Sequence, residues 1–207
     1  MARYEAIGFD LLTALLDSWS LWKRAAGDDA LGMRWHAASQ SLLRGREYRP
    51  FEDIVRDAAR EVGVAADSAE QLFDRWGTFD PWPDVPEVLP LTDAYSRFIV
   101  TNCSRRLGSI AAARAGARFD LVLTAEDAGA YKPDPRPYLA ALQRLELAPS
   151  RVLFVAGSAH DVAGAGRIGM DVYWANRGAV AQPEAWPALA NERDLRRLPD
   201  VLAKGPR

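Results

Sequence analysis

Hydrophobic and polar positions follow two rhythms along this chain. Short runs with almost no polar interruption recur at 6–9 (AIGF), 98–100 (FIV), 121–123 (LVL), 152–155 (VLFV) and 171–175 (DVYWA). A run that is apolar on both sides suits a strand buried on both faces of a parallel sheet. Segments 109–115, 136–147 and 161–168 lie between these runs and have helical character. Strand and helix in alternation predict an α/β fold, a Rossmann-like parallel sheet with helices on both faces. The alternation stops between residue 18 and about 85, where no strand pattern occurs. There Phe51, Ile54, Val55, Ala58, Ala59 and Val62 fall at i, i+3, i+4, i+7, i+8 and i+11, the stripe of an amphipathic helix. Trp19, Trp22, Trp35 and Trp76 are spread through the same region and read first as packing. The pattern predicts a helical module inserted after the first strand, with the proline-dense segment 81–86 as its return. The charged tail from Asp194 to Arg207 is expected to end in disorder.

Composition narrows the function classes. The chain has 207 residues, 49% apolar and 26% charged, which supports a full core and excludes a disordered or fibrous protein. Its 26 basic and 28 acidic residues give a formal net charge of −2, so no basic face is implied and nucleic acid is not an expected partner. Cys103 is the one cysteine, which excludes a disulfide framework and points to a reducing, cytoplasmic setting. His36 and His160 are too few for a His-rich metal site. The opening MARYEAIGFD carries charges too early for a signal peptide, and no apolar run reaches membrane-spanning length.

Ligands of open parallel sheets sit beyond the carboxyl ends of the strands. Those ends carry Asp10, then Thr101, Asn102, Cys103 and Ser104, then Lys132 within AYKPDP, then Gly157 to Asp161. Two acids, a lysine and small hydroxyls thus converge on one sheet edge. Several neighbours have plain structural readings. Asp17 fits a helix N-cap. Ser158 and Asp161 have capping-box spacing. Asp134 and Pro135 fit an N-cap and a first helical residue. Cys103 fits a small buried residue. Arg44 clusters with Arg46 and Arg49, which also fits a solvated face.

This constellation resembles the haloacid dehalogenase (HAD) superfamily: Phe9-Asp10, Thr101, the string from Lys132 to Tyr138, and the acidic loop ending at Asp161. The resemblance implies a core of residues 1–15 and 89–207 and a helical cap of residues 16–88. It implies Asp10 as nucleophile, with Lys132, Asp161, Thr101 and Asn102 as its catalytic partners. The superfamily's phosphatases carry a second Asp two residues after the nucleophile, where this chain has Leu12, and another acid where it has Gly157. Leucine donates no proton to a departing alcohol, so the leaving group should be one that departs as an anion. That makes the chain most similar to the L-2-haloacid dehalogenase type, which needs no cofactor. A weak Mg²⁺ site at Asp10 and Asp161 is the residual metal reading. In the same register Arg44 falls on the arginine that grips substrate carboxylate. Leu12, Ser158, His160 and Tyr138 fall on substrate-facing positions. Leu12, Ala156, Ser158 and His160 depart from the group's usual Tyr, Ser, Asn and Trp. The expected partner is a small carboxylic acid, cleaved at a carbon–halogen bond, and a homodimer is left open. The alternatives are a related hydrolase acting on C–N, C–P or phosphate ester bonds, or a catalytically weak small-molecule binder.

Overall fold

A computed structural model describes residues 3–44, 47–182 and 184–204. In chain order the elements are β1 (Ala6–Phe9), α1 (Ser18–Ala26), α2 (Asp29–Leu42), α3 (Phe51–Val62), α4 (Ser68–Asp74) and α5 (Val85–Val88). Then come β2 (Ser96–Thr101), α6 (Arg105–Ala112), β3 (Leu121–Thr124), α7 (Ala125–Ala128) and α8 (Pro135–Arg144). The chain finishes with β4 (Val152–Ala156), α9 (Ala159–Arg167), β5 (Asp171–Ala175), β6 (Ala190–Glu192) and α10 (Leu198–Lys204).

The strands form one parallel sheet in the order β3-β2-β1-β4-β5-β6. From β1 the chain first builds outward to β2 and β3, then crosses back to β4, β5 and β6. The order therefore reverses beside β1, and a crevice opens at the carboxyl ends of β1 and β4. Phe9 pairs with Ile99 on one side and Val155 on the other. Both sheet faces are covered. Ile7, Phe9, Ile99, Leu153 and Val155 pack on one side with α6 and the helical insert. Ala6, Phe98, Val100, Phe154 and Trp174 pack on the other with α8 and α9. Double burial is why these strands read as unbroken apolar runs rather than as alternation.

The predicted inserted helix is α3, and its stripe residues Phe51, Ile54, Val55, Ala58 and Ala59 are all buried. Trp22 of α1 meets Trp35 of α2 edge-on at 4.8 Å. The Trp35 indole N–H donates to Val55 O at 2.9 Å, tying α2 to α3. Gly32 lets α1 and α2 approach closely, because a Cβ there would lie 2.6 Å from Lys23 Cα. The insert leaves and rejoins the core at one place. Asp17 N donates to Asp80 O at 2.9 Å, Trp82 N donates to Leu15 O at 3.0 Å, and Leu16 bridges Pro81. Asp17 caps α1 through Ser20 N, as its position after the strand suggested.

Two features differ from the sequence pattern. The edge strand β6 was not predicted, because three residues of mixed polarity carry no periodicity. The charged tail also holds α10, which the pattern did not indicate, and Leu195, Leu198 and Leu202 are buried there. Those leucines sit at i, i+3 and i+7, and burying them outweighs the charge on the exposed side. Residues 205–207 of that tail lie outside the described residues. Among the described residues, no helix is long and apolar enough to cross a membrane.

Candidate active site

Asp10 extends β1 by one more pairing, its N–H donating to Val155 O at 2.9 Å. The chain then turns sharply, so the amides of Thr13 and Ala14 point back at the carboxylate. Each donates to Asp10 Oδ2 at 3.2 Å. Lys132 Nζ donates to Asp10 Oδ1 at 2.7 Å and pairs with Asp161 Oδ1 at 2.9 Å. Asn102 fixes the Lys132 backbone from both sides: its Oδ1 accepts from Lys132 N at 2.8 Å and its Nδ2 donates to Lys132 O at 3.1 Å. Asp161 also accepts from the Tyr138 hydroxyl at 2.9 Å and the Ser158 hydroxyl at 3.2 Å. The Ser158 oxygen in turn accepts from Asp161 N at 3.2 Å and so caps α9.

Two carboxylates and one ammonium are buried together here. Burial alone pulls the Lys132 ammonium down, but Asp10 and Asp161 override it and hold the lysine above its ordinary range. Burial pushes Asp161 up, and the opposing pull of Lys132 does not cancel the rise. Burial, with Asp161 beside it, holds the Tyr138 hydroxyl far above its usual value, so it stays protonated and donates. Burial also pushes the Cys103 thiol up to about 12, which removes it as a nucleophile.

Asp10, Thr101, Asn102, Lys132 and Asp161 line one cavity of about 360 Å³ together with Arg44, Leu12, Ser158 and His160. Tyr138 does not join them. It is fully buried behind Asp161, so its position is one of support and not of wall. Asn102 faces the cavity, but its oxygen and one amide hydrogen are committed to Lys132. Arg44 is exposed at the cavity rim just beyond α2, and its guanidinium has no acidic partner among the described residues. Of its neighbours in sequence, Arg49 pairs with Asp57, and Arg46 lies outside the described residues.

The sequence reading did not place His36 and Gln40 at the site; they line the cavity, as do Trp19 and Trp22, which were read first as packing. His36, Gln40 and Arg44 are spaced four apart, the one visible sign of a polar face turned inward. Burial lowers the His36 pKa to about 4, so this imidazole is neutral at ordinary pH.

Gly157 is dictated by Asp10. A Cβ at 157 would stand 2.3 Å from Asp10 Oδ2 and 2.6 Å from Ala14 N. An acid at this position, as in the phosphatase pattern, is incompatible with Asp10 as placed. The donor set therefore does not fit a divalent cation: Lys132 Nζ occupies the space between Asp10 and Asp161, and the third carboxylate has no room. Among the described residues no cluster of three His, Cys, Asp or Glu side chains is poised for a metal ion. The Mg²⁺ reading of Asp10 and Asp161 is unconfirmed. Gly157→Ala is expected to displace the carboxylate, cutting turnover about 100-fold and stability by about 1–3 kcal/mol. Steady-state kinetics and thermal melting check both.

Comparison with known proteins agrees with this geometry. The family model for haloacid dehalogenase-like hydrolases matches residues 9–169. The (S)-2-haloacid dehalogenase 4A of Burkholderia cepacia is 31% identical, over 97% of this chain and 95% of that protein. An (S)-2-haloacid dehalogenase of Pseudomonas putida is 29% identical, over 98% of this chain and 99% of that protein. The crystal structure of a dehalogenase superposes with a TM-score of 0.88 at 27% identity, covering 99% of this chain and 100% of the other. This chain belongs to the haloacid dehalogenase-like hydrolase family.

Proposed function

We propose that this hydrolase removes halide from C2 of a small 2-halo carboxylic acid through an aspartyl ester on Asp10. The observation that carries the reading is a buried carboxylate paired with Lys132 and two backbone amides, followed two positions later by the apolar Leu12. Such a site attacks carbon and offers no proton at the place where an alcohol leaving group would need one. The relatives named above carry the same activity in their names.

In the first step an Asp10 oxygen attacks C2 in line. The new C–O bond forms as the carbon–halogen bond breaks, and the electron pair leaves with the halide. In the second step water attacks the Asp10 carboxyl carbon and gives a proton to Asp161; the acyl C–O bond then breaks, Asp161 returns the proton to the departing C2 oxygen, and the 2-hydroxy acid leaves with the Asp10 carboxylate restored. Lys132 and the amides of Thr13 and Ala14 stabilise the negative charge that develops on the ester oxygens. The raised Asp161 is a better proton acceptor than an ordinary carboxylate. Arg44, which has no acidic partner among the described residues, clamps the substrate carboxylate from the cap formed by residues 16–88. A cytoplasmic setting accords with the single buried thiol of Cys103.

The cavity exceeds the smallest substrates. A three-carbon chloroacid has six heavy atoms; at about 30 Å³ each, the share of a liquid water, it fills roughly half of the space. Leu12, Trp19 and Trp22 line the same cavity, which suits an apolar substituent on C2. The test is free halide from 2-chloropropionate and 2-bromohexanoate, with and without chelator. Release that is indifferent to chelator is expected; no release from either acid by folded protein refutes the proposal.

A further inference from the structure

We infer that Trp82, Arg177 and Asp84 form a clamp that sets the amides holding Asp10, which makes them positioning residues for the nucleophile. The inference rests on the reading of Asp10 proposed above. It begins with the peptide unit between Thr13 and Ala14. That unit is planar, so its N–H and its C=O turn together. Its N–H, from Ala14, donates to Asp10 Oδ2 at 3.2 Å. Its C=O, from Thr13, accepts from the Trp82 indole N–H at 2.8 Å. One rigid plate is thus pinned at both ends, with Asp10 on one side and Trp82 on the other. The next plate is pinned as well, because Arg177 Nη2 donates to Ala14 O at 2.8 Å.

The clamp is itself fixed. Arg177 grips Asp84 with two parallel bonds of 2.6 and 3.0 Å, and the side chains are only 5% and 3% exposed. Asp84 Oδ2 also accepts from Leu195 N at 2.7 Å. The Arg177 guanidinium lies over the Trp82 ring, 5.2 Å from its centroid, and the Trp82 backbone N–H holds Leu15 O at 3.0 Å. A buried ion pair contributes little net stability compared with apolar residues of the same volume. What this one contributes is direction, because a guanidinium fork fixes both the carbonyl it meets and the indole beneath it. The clamp also spans the molecule: Trp82 and Asp84 belong to the segment returning from the helical insert, and Arg177 follows β5.

Arg177→Ala strips Asp84 of its counter-charge and endangers the fold, so Trp82→Phe is the decisive variant. It keeps a ring under the guanidinium and deletes one N–H. The readouts are kcat and KM on 2-chloropropionate, the melting temperature, and hydrogen exchange of the Thr13 and Ala14 amides followed by NMR. The expected result is a kcat lowered about tenfold with KM within twofold, a melting temperature within a few degrees, and faster exchange at both amides. An unchanged kcat, or a loss seen only in KM or in melting, overturns the inference. If the parent protein releases no halide, the Asp10 proposal falls by itself. Exchange then decides the clamp: faster exchange at both amides retains it, and unaltered exchange removes it.

Discussion

Asp10→Asn is expected to abolish halide release, with a loss of roughly 10⁴-fold or more, while the protein stays folded. The amide oxygen of asparagine carries no charge and is a poor nucleophile, so the first step has no entry. The fold tolerates the change for an electrostatic reason. Asp10, Asp161 and Lys132 sum to one surplus negative charge in a buried place, and the substitution leaves a neutral pair of Asp161 and Lys132. A side-chain oxygen remains to accept from Thr13 and Ala14. Melting within a few degrees of the parent, retained binding of the substrate carboxylate and absent turnover together separate catalysis from binding. A complementary single-turnover experiment in ¹⁸O water follows from the same chemistry. Water attacks the ester at the Asp10 carboxyl carbon, so the label enters the protein and not the first hydroxy acid released. Because one displacement occurs at C2, that product has inverted configuration.

Lys132→Met is expected to cost at least about 10³-fold in turnover and, unlike Asp10→Asn, about 3–5 kcal/mol in stability. It leaves two buried carboxylates without their counter-charge. Two such acids share a proton, and a shared proton blunts the nucleophile. The pH dependence separates parent from variant. In the parent, Lys132 is held above its ordinary 10.5, so its contribution to stability is complete below that value. That contribution is lost only as pH rises through the higher folded value, deep in the alkaline range. In the variant the acid pair dominates. Burial already raises Asp161 in the parent, and removing Lys132 raises it further. A carboxyl raised on folding favours the folded state at low pH and weakens it as pH climbs through the folded value. Urea unfolding of Lys132→Met at pH 5 and pH 8 should therefore show the higher stability at pH 5, within the range where the parent keeps its Lys132 contribution.

Much of this architecture was legible in the chain because the central strands are buried on both faces and leave unbroken apolar runs. The end of each run then marks a place on one sheet edge, and Asp10, Thr101, Lys132 and Asp161 were found in that way. The α3 helix was legible from its stripe, and Asp134 and Ser158 from their capping chemistry. Features set by contacts distant in sequence were not legible. Gly157 reads as a loop glycine until Asp10 is placed 2.3 Å from its missing Cβ. Tyr138 was expected in the pocket, yet it lies on α8 against Gly164 of α9, and its hydroxyl donates to Asp161. Asn102, expected among the catalytic partners, spends its oxygen and one amide hydrogen on holding the lysine loop. His36 and Gln40 became visible only when α2 was laid across the crevice. In the tail, many charges hide the three buried leucines Leu195, Leu198 and Leu202.

The two chain passages joined at Leu16 and Pro81 have an evolutionary consequence. More than sixty residues start and finish at neighbouring points, so that whole excursion can lengthen, shorten or be exchanged with little entropic penalty to the rest. The proposed nucleophile Asp10 and its partner Lys132 lie outside the excursion, whereas Trp19, Trp22, His36, Gln40 and Arg44 belong to it. Diversification of what this scaffold accepts can therefore proceed in one contiguous stretch of gene, leaving the bond-breaking apparatus untouched.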